Sequence, residues 1–290
     1  MEHYLDKNWI KIIYDFTVSV RRKKRVVPTL MVLPYLLLMS FCAIVPVTYG
    51  VLEVPKPSFV NLTGGYDTFL KVLQDFRLGA ASLNILFLLL IFVPLMIVTV
   101  LVISLLMDSV EIRANNVMRL VFLIPALIPT GVAVLFWFAM VGPEVIWNSS
   151  NIRWFIGSVI FSTSVGGWIV IQYGSLRSIP EEVLEAGVVD GCNRFQLAWR
   201  LKIPLITRYV AYMAILLVVN TLQIFTEPNL LLSTKVTTDW SFNQIAFSYA
   251  FSYGDFSGGT AISLMLLLPN IILALLFAYY TDFLRKQQRA

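Results

Sequence analysis

The stretch "EAGVVDGCNRFQLAWRLKIP", Glu185 to Pro204, decides how this chain is read. It carries acids, bases, an amide pair and two glycines, and long apolar runs lie on both sides. Just ahead of it, Ser178-Ile179-Pro180-Glu181 fits a capping box: a Ser cap, a Pro in the first turn and Glu at the third helical position. Glu181, Glu182 and Glu185 suit the positive end of a helix. Val183, Leu184, Gly187 and Val188 are three or four apart and form one apolar stripe. Gly191 is a natural stop, because a left-handed cap favours glycine. Asn193 and Gln196 then cap a second short helix through Phe195, Leu197 and Trp199, which Pro204 is expected to end. Local physics therefore predicts two short helices joined by a glycine turn. Ala186, Gly187, Gly191 and Cys192 are small enough to let another surface approach. The plainer reading is a compact connector, yet connection needs only a few residues and residues 174–207 are used.

The chain around this segment is built for lipid. Of 290 residues, 58% are hydrophobic and 13% charged, with a mean hydropathy of +0.78. Soluble domains carry about a quarter charged residues, so the chain is an integral membrane protein. A membrane helix needs about 20 apolar residues. Six stretches qualify, near 26–50, 81–107, 119–141, 154–173, 208–232 and 259–281. The expected class is all-α with six transmembrane helices, a cytoplasmic N-terminal segment 1–25 and a six-span domain 26–290.

Orientation follows from the bases. Arg21, Arg22, Lys23, Lys24 and Arg25 precede the first span and hold the N-terminus in the cytoplasm by the positive-inside rule. Six spans return the C-terminus to the same side. Inside segments then hold 17 of the 22 Lys and Arg residues, and outside segments hold Lys56, Lys71, Arg77, Arg153 and Lys235. Residues 174–207 fall in the cytoplasm. In the N-terminal segment, Trp9, Ile10, Ile12, Ile13 and Phe16 lie close to one helical face, for an interfacial helix or for packing on a partner. Pro34, Pro46, Pro94, Pro125, Pro129 and Pro269 interrupt the spans, as static kinks or as bending points. Cys42 and Cys192 are the only cysteines and imply no disulfide framework. The only histidine, His3, nearly excludes a zinc site or a His base. The basic residues flank apolar spans without forming one face, which argues against nucleic-acid binding.

Glu185-Ala186-Gly187, then Gly191, then Leu201-Lys202-Ile203-Pro204 resembles the "EAA" loop of ABC importer permeases: E-A-A, three residues, G, nine residues, I-x-L-P. The spacing agrees at every step. Gly187 replaces the second Ala, Leu201 replaces Ile and Ile203 replaces Leu. "GSLRSIPEEVLEAGVVDGC", "GGYDTFLKVL", "RLVFLIPALIP" and "YAFSYGDFSGGTAISLMLLL" are similar to segments of the carbohydrate-uptake permeases of the maltose and glycerol-phosphate type. The chain departs where many relatives have Gly-Gly-Pro after the fifth span and it reads "LLLSTKVTTDW". The resemblance implies the type I ABC importer permease fold in a bacterial inner membrane. It implies a second permease subunit, usually a different chain, two ATPase subunits and an extracytoplasmic solute-binding protein. ATP and Mg would sit on the ATPase chains, and no cofactor on this one. This agrees with the absence of G-x-x-x-x-G-K-[ST] and of any Gly-Lys pair. The residues it assigns to ATPase coupling are Glu185, Ala186, Gly187, Asp190, Gly191, Arg194, Ile203 and Pro204. Asp190 and Arg194 are also expected to pair locally.

The translocation path is less legible. Asn220, Gln223 and Glu227 in span five are three and four apart and are expected to share one helix face, to bind a polyhydroxylated solute or a neighbouring helix. Gln172, Asn84 and Trp137 are weaker candidates. The leading reading is half of an ATP-driven importer for a sugar or sugar-like solute. The same class with a non-sugar solute is the alternative. A self-sufficient secondary transporter would show repeats and intramembrane acids, and a membrane enzyme would show a nucleophile and base in the spans. Neither pattern is visible.

Overall fold

The computed structural model describes residues 31–58, 61–109, 112–142, 144, 149–232 and 239–287. The N-terminal segment with Trp9 and Phe16 lies outside them. Every regular element among the described residues is helical. Met31–Glu53 (α1) forms a unit of its own and exposes its apolar side chains along almost its whole length. The second unit contains Thr68–Leu73 (α2), Phe76–Asp108 (α3), Ile112–Leu127 (α4), Thr130–Val141 (α5) and Ser149–Arg177 (α6). Glu181–Val189 (α7), residues 194–222 (α8), Thr226–Leu232 (α9), Phe242–Phe247 (α10) and Phe256–Gln287 (α11) complete it. Five stretches are long and apolar enough to cross a membrane, one of them running from α8 into α9, and α4 with α5 makes a sixth if a bent pair counts as one.

That bent pair departs from the sequence reading, which takes 119–141 as one span. The two halves meet at 88°. The reason is Pro129, whose missing N–H cannot continue the ladder; it becomes the residue ahead of α5, with ψ 134°. Pro94 and Pro204 act differently. Each follows a π turn, Leu88–Phe92 in α3 and Leu197–Lys202 in α8, that ends two residues before the proline. A wider turn shifts the hydrogen-bond register ahead of a residue that has no N–H to give, so the helix runs on. Pro204 therefore does not end the second short helix, as its sequence position predicts; helix and span are one rod.

Packing centres on α6. Val93, Met96, Val100 and Met107 of α3 meet Ile169 and Tyr173 of α6, with Met213 and Leu217 of α8 completing the cluster. A second cluster joins Ile85, Leu88 and Phe92 to Phe155, Ile156 and Val159 of α6, Val134 of α5 and Trp240. On its other side α6 lies against α4 at backbone contact. A Cβ on Gly166 would stand 1.7 Å from the Phe122 carbonyl oxygen, so only glycine allows the crossing.

Gly166→Ala therefore destabilises the bundle by about 1–3 kcal/mol or prevents its folding, whereas Gly167→Ala, with nothing within 4 Å, leaves it unchanged. Thermal unfolding of the two detergent-purified variants checks this.

Candidate functional site

The polar stretch folds as a helical hairpin at one end of the bundle. Ser178 does not cap its first helix. The Ser178 hydroxyl donates to the Ser175 carbonyl at 2.7 Å, because α6 runs on to Arg177 and its last turn claims the serine. Helix α7 begins at Glu181 behind an extended Pro180, with Glu181 and Glu182 in the first turn. It stops at Gly191, whose φ is +83°. Cys192 N–H donates to the Gly187 carbonyl and Gly191 N–H to that of Val188, both at 3.0 Å. This is a Schellman closure, the stop that glycine predicts. Asn193 and Gln196 then form the expected reciprocal cap: Gln196 N–H to Asn193 Oδ1 at 2.8 Å and Asn193 N–H to Gln196 Oε1 at 2.9 Å.

The predicted apolar stripe is split. Leu184 turns inward to join Leu176, Ile179, Ile206, Leu101 and Leu105. Gly187 is buried, and a Cβ there would meet Leu201 Cδ1 at 2.5 Å and Leu197 Cδ1 at 2.9 Å. Val183 and Val188 face out. The outward surface also carries Val189, 86% exposed, and the parallel pair Phe195 and Trp199, 75% and 65% exposed, with ring centroids 6.5 Å apart. Sequence reading placed those aromatics in the second helix without recognising them as its outer face. Glu182, Val183, Ala186, Asp190, Cys192 and Arg200 line an open cleft of about 480 Å³ between the two helices. Glu185, Asp190 and Arg194 are exposed. No ion pair joins Asp190 to Arg194 among the described residues, because the turn at Gly191 sends their side chains along separate helices. Ile203 is half-buried, and Pro204 is exposed at the start of the α-helical part of α8.

One residue that sequence reading missed ties the hairpin down. Asp108 ends α3, and its carboxylate, 8% exposed, receives Arg177 Nε at 3.3 Å on one oxygen and Lys202 Nζ on the other. Arg177 Nε also donates to the Tyr173 hydroxyl at 2.8 Å, and Arg119 lies 4.2 Å from the centre of the Tyr173 ring. At the opposite end of α3, Asp75 caps the helix. It accepts from Arg77 Nη2 and the Tyr249 hydroxyl, both at 2.6 Å, while Arg77 stacks on the rings of Tyr249 and Tyr253. Burial works against the charge on Asp75; the Arg77 guanidinium and the Tyr249 hydroxyl outweigh it and hold the carboxyl below its usual range. Burial, then the Asp75 carboxylate, push Tyr249 up to about 12.

The expected polar stripe does not share one face. Helix α8 ends at Leu222, the chain is irregular through 223–225, and Glu227 belongs to the seven-residue α9. Asn220 and Gln223 are exposed and Glu227 half-buried. The Gln223 carbonyl, freed by the break, accepts from Asn243 Nδ2 at 2.8 Å. Gln172 is fully buried, its amide donating to the Tyr209 carbonyl at 3.0 Å and accepting from the Ser175 hydroxyl at 3.2 Å. Asn84 is held by the Trp240 carbonyl and Arg153, and Trp137 by Ser162. These three are committed to neighbouring segments.

A left-handed residue with a Cβ costs about 1–2 kcal/mol, so Gly191→Ala loosens the hairpin by that amount. Faster amide hydrogen exchange at Gln196 and Cys192 is the expected signal, with α6 unaffected.

Comparison with known proteins agrees with this architecture. A solved permease chain of a bacterial ABC transporter importing the acidic polysaccharide alginate superposes with a TM-score of 0.69 at 16% identity, over 91% of this chain and 96% of that one. An osmoprotective compounds uptake permease of Synechocystis sp. is 28% identical over 36% of this chain, and an alpha-glucoside permease of Rhizobium meliloti is 26% identical over 42%. The matches span 37% and 35% of those relatives' own lengths. A maltodextrin permease of Streptococcus pneumoniae is 24% identical over 68% of this chain and 71% of its own. Residues 101–286, well over half the chain and including the whole hairpin, match the family of binding-protein-dependent transport system inner membrane components, and the protein belongs to that family of ABC importer permeases.

Proposed function

We propose that this chain forms half of the translocation path of an ATP-driven importer for a sugar or sugar-like solute. An extracytoplasmic binding protein delivers the solute. A second permease chain completes the path, and two separate ATPase subunits hold ATP and Mg. Both termini and the hairpin face the cytoplasm, where the positive-inside distribution puts them. The observation that carries this reading is the hairpin's divided surface. Leu184 and Gly187 pack inward, while Val188, Val189, Phe195 and Trp199 present apolar area to the outside. Exposed clustered aromatics of this kind mark protein interaction sites. Glu185, Asp190 and Arg194 rim the patch with charges able to fix the register of a partner. The Gly191 turn and the Asn193 cap make the surface rigid, so motion of an ATPase gripping it passes to the spans through Leu184 and its neighbours.

On the solute side, Asn220, Gln223 and Glu227 flank the break in the fifth span. Non-helical backbone at membrane depth is tolerated where it lines a cavity. Exposed amide groups beside it are suited to hydroxyl-rich solutes. We leave Gln172 out of this path because its amide is used inside the bundle. Sugar solutes are favoured by the alpha-glucoside and maltodextrin permeases among the similar proteins; the osmoprotective-compound permease keeps a non-sugar solute as the second reading.

Uptake into liposomes containing this chain, its permease partner and the cognate ATPase is expected to require ATP. Uptake without nucleotide would refute the reading. Trp199→Ala with Phe195→Ala removes an aromatic anchor and should weaken ATPase association at least about tenfold, with unchanged thermal stability of the permease. A ligand screen on the cognate binding protein identifies the solute.

A further inference from the structure

The hairpin is anchored at both feet by a single carboxylate. Arg177 is the last residue of α6 before it, and Lys202 lies where α8 leaves it for the span. Each takes one oxygen of Asp108. Asp108 in turn is the last residue of α3. Its side chain is nearly buried, and that of Lys202 is only 16% exposed, so solvent screening of this pair is weak. Between the feet, Leu184 packs against the buried cluster of Leu176, Ile179 and Ile206, and so do Leu105 and Leu101, one and two turns back along α3 from Asp108. A pull on either foot therefore acts on α3 by an ionic contact and through a shared apolar cluster. Helix α3 is continuous for 33 residues, and its far end is also tied: Asp75, the residue before it, holds Arg77 and reaches Tyr249 within the π turn Ser248–Ser252.

We propose that Asp108 is a positioning residue for coupling: it transmits movement of both hairpin feet into α3, which acts as the strut between the hairpin and the Asp75–Arg77–Tyr249 cluster. A rigid element fixed to two sites is the physical requirement for such transmission. The proposal rests on the reading of the hairpin as the ATPase handle. It predicts a specific defect, in which the motor still docks and turns over but drives less transport.

The test uses the assembled importer in liposomes, with ATP hydrolysis and solute import measured on the same sample. Asp108→Asn keeps the size and removes the charge. ATPase subunits should co-purify as with the unsubstituted protein and hydrolysis should persist, while solute imported per ATP falls at least about fivefold, within the usual range of coupling between sites. Asp108→Glu restores the carboxylate and should recover most of that ratio, which a merely steric role would not. Should Asp108→Asn fail to assemble, Lys202→Gln cuts one foot only and is expected to lower the ratio in a complex that still assembles. An unchanged ratio in an assembled variant overturns the proposal. So does a parallel loss of hydrolysis, import and co-purification in both variants, which would make Asp108 a fold-holding residue while leaving the handle reading intact. Failure of any ATPase to associate with the unsubstituted protein would instead remove the handle reading itself.

Discussion

Backbone hydrogen bonding in lipid governs this structure. Each N–H and C=O inside the bilayer needs a partner within the protein, and this chain places prolines in several of its spans. At three of these prolines the conflict is resolved in one of two ways. At Pro94 and Pro204 a π turn adjusts the register and the helix continues. At Pro129 the helix breaks and turns through 88°. The break at 223–225 has no proline within it, although Pro228 follows closely. There the Gln223 carbonyl is satisfied by the Asn243 side chain of α10. Rods that continue and rods that break are both needed: α3 and α8 stay continuous into the hairpin's anchor, and the irregular backbone stays away from it.

What could be read from sequence was local. Gly191 and the Asn193–Gln196 pair act through contacts no more than five residues apart, so their spacing alone carries the geometry. The spans were legible because length and apolarity are forced by the bilayer. Asp108 was not legible, since its partners lie 69 and 94 positions away and nothing around it signals a role. Ser178 was misread because two helices compete for one hydroxyl, and the end of α6 takes it. The Asn220–Gln223–Glu227 stripe was misread because the period of 3.6 holds only while the helix does, and α8 stops at Leu222. The outward placement of Phe195 and Trp199 depends on which side of the second helix Leu197 and Leu201 turn toward Gly187. That is a tertiary fact without a local signature.

The departures from the family pattern at Gly187 and Leu201 are best understood as a pair. The third residue of the E-A-A triplet faces the second helix of the hairpin, where Leu201 and Leu197 would press within 2.5 and 2.9 Å of any Cβ. Glycine at 187 opens that space, and Leu201 fills it. Alanine at 187 would be accommodated only if the Leu201 and Leu197 methyl groups swung aside, which the more compact branching of an isoleucine at 201 would favour. Leucine and isoleucine are isomers, so the exchange at 201 changes shape and not volume, and the longer reach of leucine takes the place of the methyl absent at 187; small aliphatic exchanges of this kind in a packed contact are among those that cost least. Both leucines lie in the π turn ahead of Lys202. The compensation therefore preserves the seat of the hairpin on α8 and, with it, the position from which Lys202 reaches Asp108. A chain can thus vary the letters of this loop while holding fixed the lengths that the loop must span.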